Sequence, residues 1–132
     1  MGTGAAVSFL APAKLNISLR VFGKRSDGYH HIRSVMVPVS LYDEVTVAES
    51  PDGISVACDD PSVPTGEGNT CRRAAALYRE WAGTPGGVAI RIRKAIPAEA
   101  GLGGGSSDAA ATLKGLCALT GKCPPPETRL DM

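Results

Sequence analysis

A glycine run wedged between an alternating segment and an alanine-rich one constrains this chain more than anything else in it. The segment GVAIRIRK, residues 87–94, puts Val88, Ile90 and Ile92 on one face and Arg91 and Arg93 on the other, the period of a half-buried strand. It leads into IPAEAGLGGGSSDAAATL, residues 96–113, where Gly101, Gly103, Gly104 and Gly105 precede Ser106 and Ser107. Beyond the serines, Ala109, Ala110, Leu113, Leu116 and Cys117 give one apolar side to a predicted helix over residues 107–119, which Gly121 stops.

Glycines let a backbone take positive φ and approach a ligand closely. A helix start adds unpaired N–H groups and about half a positive charge. An anion, a phosphate above all, suits such a mouth, and the hydroxyls of Ser106 and Ser107 add donors or a magnesium ligand. A glycine turn also permits tight strand-to-helix packing with no ligand, and the loop alone leaves both readings open. Two phosphate loops are excluded. The Walker A pattern closes on Lys-Ser/Thr, where this chain has Ser106-Ser107-Asp108. The dinucleotide fingerprint fails at Ser106, where its third glycine belongs.

Upstream, KLNISLRVF, residues 14–22, alternates Leu15, Ile17, Leu19 and Val21 against Lys14, Asn16, Ser18 and Arg20, a second strand pattern. A short strand over residues 7–11 precedes it, broken by Pro12. Asp27-Gly28 marks a turn. IRSVMVPVSL, residues 32–41, reads as a strand moved towards an edge by Pro38. DEVTVAES and GISVACD read as two more, joined in a hairpin by Pro51-Asp52-Gly53. Asn69 or Thr70 caps a helix running to about Trp81, with Ala75, Leu77, Tyr78 and Trp81 as a partial apolar stripe. This order predicts an α+β domain, a mixed or antiparallel sheet packed with helices. Pro124, Pro125 and Pro126 follow Gly121 with no further apolar pattern, so residues 121–132 are expected to be a poorly ordered tail.

Composition narrows the function classes. A net charge of +1 lacks the basic excess of a dedicated nucleic-acid binder, and two phenylalanines, three tyrosines and one tryptophan offer few stacking platforms. No apolar run approaches a membrane span and no signal peptide is legible, which points to the cytoplasm. Cys58, Cys71, Cys117 and Cys123 form no C-x-x-C pair, so a zinc site is not expected and the thiols read as free.

Three segments taken together, APAKLN (residues 11–16), DGYHHIRSVM (residues 27–36) and PAEAGLGGGSSDAA (residues 97–110), resemble the GHMP kinases, the galactokinase–homoserine–mevalonate kinase superfamily. The resemblance runs over residues 9–120. It is strongest to the branch acting on 4-diphosphocytidyl-2-C-methyl-D-erythritol in the non-mevalonate isoprenoid pathway. It implies the superfamily's N-terminal fold, shared with a ribosomal protein domain, and phosphoryl transfer from ATP, with magnesium, to the 2-hydroxyl of that substrate. Carried over, the ATP loop falls on Pro97, Ala98, Glu99, Ala100, Gly101, Leu102, Gly103, Gly104, Gly105, Ser106 and Ser107, with both serines near magnesium. Asn69 and Lys94 match the adenine pocket, and Lys14 matches the catalytic lysine. Asn16 shares the polar face of Lys14, and Asp27, Tyr29 and His30 match the segment that holds the cytosine. His31 is assigned to the surface, because neighbours in an extended chain point to opposite sides.

The resemblance also implies something this sequence does not contain. The family's general base is an aspartate in a Gly-x-Asp-x-Pro-like segment after the glycine-loop helix, and no such segment occurs among the 132 residues. A C-terminal domain is likewise unmatched. The expectation is therefore an incomplete kinase: a nucleotide-binding domain over residues 1–120, little activity alone, and an exposed apolar face that favours self-association.

Overall fold

The structure is a computed structural model that describes residues 4–130. The chain order is β1 (Ala6–Lys24), β2 (His30–Ser50), β3 (Ile54–Cys58), α1 (Thr70–Ala82), β4 (Gly87–Arg93), α2 (Gly104–Thr120) and α3 (Pro126–Leu130). The four strands form one sheet in the order β1-β2-β4-β3. Antiparallel pairs join β1 to β2 and β2 to β4, and a parallel pair joins β3 to β4. The expected mixed sheet with helices is what the chain forms.

One face of the sheet carries the core. Val45 and Val47 of β2 stand opposite Ile92 and Ile90 of β4 in register, and Phe9 and Val7 of β1 flank them. Cys71, Ala75 and Tyr78 of α1 and Ala111 and Leu116 of α2 close over that face. The alternate residues point the other way and several are polar: Arg91 and Arg93 are exposed, and the Ser8 and Thr46 hydroxyls lie 2.8 Å apart. Gly115 lets α2 lie close to the sheet, since a Cβ there would stand 2.7 Å from Val47 Cγ2.

Several local expectations are revised. Pro12 does not break β1; it sits at a register shift between Pro12 and Ala13, and β1 runs on for 19 residues at the sheet edge, where a missing N–H is tolerated. The two strands read around Pro38 and Asp43 are one strand, β2. Pro38 lies on its outer half, which pairs with β1, while β4 pairs only with Glu44 to Ser50. Pro51-Asp52-Gly53 does not make a hairpin, because β4 inserts between β2 and β3. Helix α1 begins and ends as read, with Asn69 as its cap and Gly83 at φ 63, but Leu77 and Trp81 of the expected stripe are exposed. Helix α2 starts at Gly104, three residues early. Leu116 of the expected side is buried and Leu113 and Cys117 pack against the core, but Ala111, Thr112 and Gly115 lie deeper than Ala109, and Ala110 is exposed.

The tail expectation also changes as far as residue 130. Gly121 ends α2 at φ 74, the Tyr78 hydroxyl donates to the Lys122 carbonyl at 2.5 Å, Pro124 is buried, and α3 follows. Residues 131–132 lie outside the described range.

Candidate nucleotide site

The sheet delivers the end of β4 beneath the start of α2, and the glycine loop bridges the two. Glu99, Gly101 and Gly103 all have positive φ, at 56, 74 and 70. Left-handed residues alternating with ordinary ones curl successive N–H groups towards one concave side, an arrangement suited to anions. Glu99 is the one non-glycine with positive φ among the described residues, and it lies within this loop. The first bond of α2 runs from Ser107 N–H to Gly103 C=O, so the N–H groups of Gly104, Gly105 and Ser106 have no acceptor inside the helix. No side chain caps this end. Loop residues 97–106, with Asn69, Thr70, Lys94 and Asp108, line a cavity of about 530 Å³.

Lys14 comes to this mouth from β1. Its N–H donates to Leu102 C=O at 2.9 Å, and a Cβ on Gly103 would stand 3.0 Å from two of its side-chain carbons. A neighbouring hollow is lined by Lys14, Gly103, Ser106 and Ser107 together. The structure therefore brings the expected lysine, both serines and the bare helix end into one place, although 92 residues separate Lys14 from Ser106 in the chain.

Beneath the loop lies a cluster that the sequence reading did not identify. Lys94 Nζ donates to Asp43 Oδ2 at 2.6 Å and to Asp108 Oδ2 at 3.1 Å, and the three side chains are no more than 8% exposed. Asp43 Oδ1 accepts the N–H groups of Ala95 and Ile96 at 2.7 and 2.8 Å, which fixes the entrance of the loop. Gly104 leaves room for this, since a Cβ there would stand 3.2 Å from Lys94 Nζ. Burial pushes the Asp108 carboxyl up to about 7, and the Asp43 carboxyl adds to the rise against the pull of Lys94. Burial acts upward on Asp43 too. Hydrogen bonds from Asp108, the Ile96 N–H, Lys94 and the Ala95 N–H outweigh it and hold that carboxyl below its ordinary range. For Lys94, burial works against the charge, but the two carboxyls outweigh it and raise its pKa. The pair thus behaves as one ionised carboxylate, Asp43, and one carboxyl that holds its proton near neutrality, Asp108. Asp108 Oδ1 is buried without a hydrogen-bond partner.

Asp43 carried a readable signal. It falls in phase with Val45 and Val47 on the buried face of a strand, where an acid requires a partner.

The adenine-pocket residues of the sequence reading both line the cavity, but both are already engaged. The Asn69 side-chain oxygen caps α1 by accepting from Cys71 and Arg72 N–H, and its amide donates to Pro64 C=O. Lys94 is held by the two acids.

Asn16, Asp27, Tyr29 and His30 are not brought to the loop. The Asn16 side chain accepts from Ser34 Oγ, Asp27 pairs with Arg25 and accepts the Tyr29 N–H, and Tyr29 is 73% exposed. These last three residues sit at the tip of the β1–β2 arm, where Lys24 pairs with His30. At about 3.3 Å per strand residue, the tip lies on the order of 30 Å along the ribbon from Lys14.

No group of three His, Cys, Asp or Glu able to hold a metal occurs among the described residues. The donors at the loop fit a magnesium ion that arrives with ATP: two serine hydroxyls beside a phosphate cradle built of N–H groups. No helix is long and apolar enough to cross a membrane.

A strand, a glycine-rich turn and a bare helix end faced by a lysine define a phosphate-handling domain, and comparison gives it a family. Residues 69–132 match the GHMP kinases N terminal domain, and that part of the chain belongs to this domain family. Within that family it is similar to the 4-diphosphocytidyl-2-C-methyl-D-erythritol kinase of Acetivibrio thermocellus, 50% identical over 111 residues that make up 84% of this chain and 39% of that protein. The enzyme of the same name from Chlorobium phaeobacteroides is 48% identical over 86% of this chain and 39% of its own length. A crystal structure of 4-(cytidine 5'-diphospho)-2C-methyl-D-erythritol kinase superposes with a TM-score of 0.75 at 41% identity, covering 95% of this chain and 45% of that one. A mevalonate kinase shares the fold at 18% identity with a TM-score of 0.69, over 95% of this chain and 44% of that one. The chain therefore spans about two-fifths of the length of the curated relatives it matches.

Proposed function

We propose that this chain supplies the nucleotide-binding half of an ATP-dependent kinase acting in the cytoplasm on the 2-hydroxyl of 4-diphosphocytidyl-2-C-methyl-D-erythritol. The observation that carries the reading is the packing of Lys14 against Gly103 at the bare N-terminus of α2. The relatives at about 50% identity supply the acceptor.

In this reading the loop N–H groups and the α2 N-terminus hold the ATP phosphates, and Ser106 and Ser107 hold magnesium, which neutralises phosphate charge. The acceptor oxygen attacks the γ-phosphorus, the bond to the bridging oxygen breaks, and ADP leaves. The Lys14 ammonium stabilises charge on the phosphoryl group in transit. Asn69 and Lys94 line the cavity on its adenine side. The cytosine falls to Asp27, Tyr29 and His30, with Asn16 below them. For one acceptor to reach both ends, the arm must bend at its register shifts, Asn16/Ser18 and Val21/Lys24. No residue here is assigned to take the hydroxyl proton. A missing general base costs about 10²–10⁴ in rate, so turnover by the chain alone is expected to be near background. The exposed apolar arm favours self-association; with a net charge of +1, no nucleic-acid or membrane partner is assigned.

Calorimetric titration with MgATP, then with 4-diphosphocytidyl-2-C-methyl-D-erythritol, homoserine and mevalonate, tests the reading. Binding of ATP and of the cytidine compound alone supports it. Preference for another acceptor overturns the substrate, and ATP binding with no acceptor bound favours a nucleotide-binding remnant. A salt-sensitive affinity for RNA in place of ATP contradicts the whole reading.

A further inference from the structure

At the far end of α2 from the glycine loop, the thiols of Cys117 and Cys123 face each other with their sulfurs 2.8 Å apart. Both are free in the structure; Cys117 is half-buried on the last turns of α2, and Cys123 is exposed in the segment that follows. Their surroundings hold them in place. Gly121 reverses the chain between them, the Tyr78 hydroxyl is bound to the Lys122 carbonyl, Lys122 Nζ donates to Ala82 C=O at 3.2 Å, and Pro124 is buried. A disulfide has its sulfurs about 2.05 Å apart, so the pair needs to close by less than about 1 Å.

We propose that Cys117 and Cys123 form a reversible disulfide that fastens the segment after α2 to the helix pair. A low-molecular-weight disulfide such as oxidised glutathione serves as the oxidant. The exposed Cys123 thiolate attacks one sulfur of glutathione disulfide, that S–S bond breaks, and one glutathione thiolate leaves and takes up a proton. The Cys117 thiolate then attacks the Cys123 sulfur of the mixed disulfide and expels the second glutathione thiolate. Two protein thiols are oxidised and one glutathione disulfide is reduced to two thiols. Burial raises the Cys117 thiol to about 11, with Cys123 adding to the rise, which agrees with Cys117 acting second, as an intramolecular resolving group. The remaining thiols are placed differently: Cys71 is buried in the core and Cys58 lies on β3. Thirteen residues of α2, from Gly104 to Cys117, about 20 Å at 1.5 Å each, separate the pair from the glycine loop, so the bond stands apart from nucleotide binding.

Incubation of the folded chain with oxidised glutathione, followed by alkylation, trypsin and mass spectrometry, tests the proposal. Cleavage after Lys122 puts the two cysteines in different peptides, 115–122 and 123–129. The expected result is a disulfide joining those peptides, loss of two of the four titratable thiols, and reversal by dithiothreitol. Cys117→Ser is expected to stop at a stable glutathione adduct on Cys123, while MgATP affinity is the same in oxidised and reduced protein. A persistent adduct on Cys123 in the unsubstituted chain, or a cross-link involving Cys58 or Cys71 instead, overturns it.

Discussion

Strands β1 and β2 lead two different lives along their length. At one end, residues 6–14 and 43–50 lie under α1 and α2, bury Val45, Val47, Ala11 and Ala13, and hold the glycine loop through Asp43 and Lys14. At the other, the same strands run out as a two-stranded arm on which Leu15, Ile17, Leu19, Val21, Ile32, Val35 and Met36 are all about half exposed or more. Both ends alternate in sequence and both pair in register. Strand pairing alone thus does not make a core; the helices do. The glycine loop is placed on the packed end. The arm keeps its apolar side chains exposed.

That contrast can be broken by substitution. Asp43→Ala should do the most damage, since it leaves Lys94 with Asp108 alone and frees the Ala95 and Ile96 N–H groups; breaking a buried pair costs about 3–5 kcal/mol, readable in the urea midpoint. Gly115→Val should follow, because its added methyls enter space 2.7 Å from Val47; overpacking costs about 1–3 kcal/mol by the same measurement.

Asp108 gives a smaller effect that depends on pH. Its native pKa near 7 lies above the unfolded value of about 3.9, so folding takes up a proton between them. Stability from this group is present below the unfolded value, declines as pH rises towards 7, and is flat beyond. Asp43, held low, acts the other way and loses its contribution as pH falls through its native pKa. Asp108→Asn should flatten the midpoint between pH 4.5 and 7, and an unchanged slope would remove the protonated carboxyl from the account. On the arm, Ile17→Ser and Leu19→Ser should change stability by less than about 0.5 kcal/mol, yet shift sedimentation towards the monomer. A large loss of stability would mean that the arm is packed.

The sequence announced what local chemistry controls. Asn69 and Gly83 bound α1, Gly121 ends α2, and Val88, Ile90 and Ile92 face inward as their alternation requires. It misled where a distant element intervenes: Pro51-Asp52-Gly53 is good hairpin chemistry, and only the insertion of β4 prevents the pairing. The glycine loop and Lys14 were legible through the company their motifs keep. Beneath the loop, Asp43 was legible only as an acid in phase with Val45 and Val47; its partners were not, because Lys94 meets Asp43 and Asp108 across 51 and 14 residues of chain. Leu77 and Trp81 were misplaced because the side of α1 that is buried carries Cys71, Ala74, Ala75 and Tyr78.

The central claim is that the curled loop, the start of α2 and Lys14 form a phosphate site. Gly103 tests it most directly, standing at φ 70 with Lys14 carbons 3.0 Å from where a Cβ would be. Calorimetric titration of MgATP into the chain and into Gly103→Val, with circular dichroism confirming that both are folded, is the decisive measurement. The account predicts binding by the first and a loss of about tenfold or more, 1.4 kcal/mol or above, in the second. Equal affinity in both, or none in the unsubstituted chain, would contradict it.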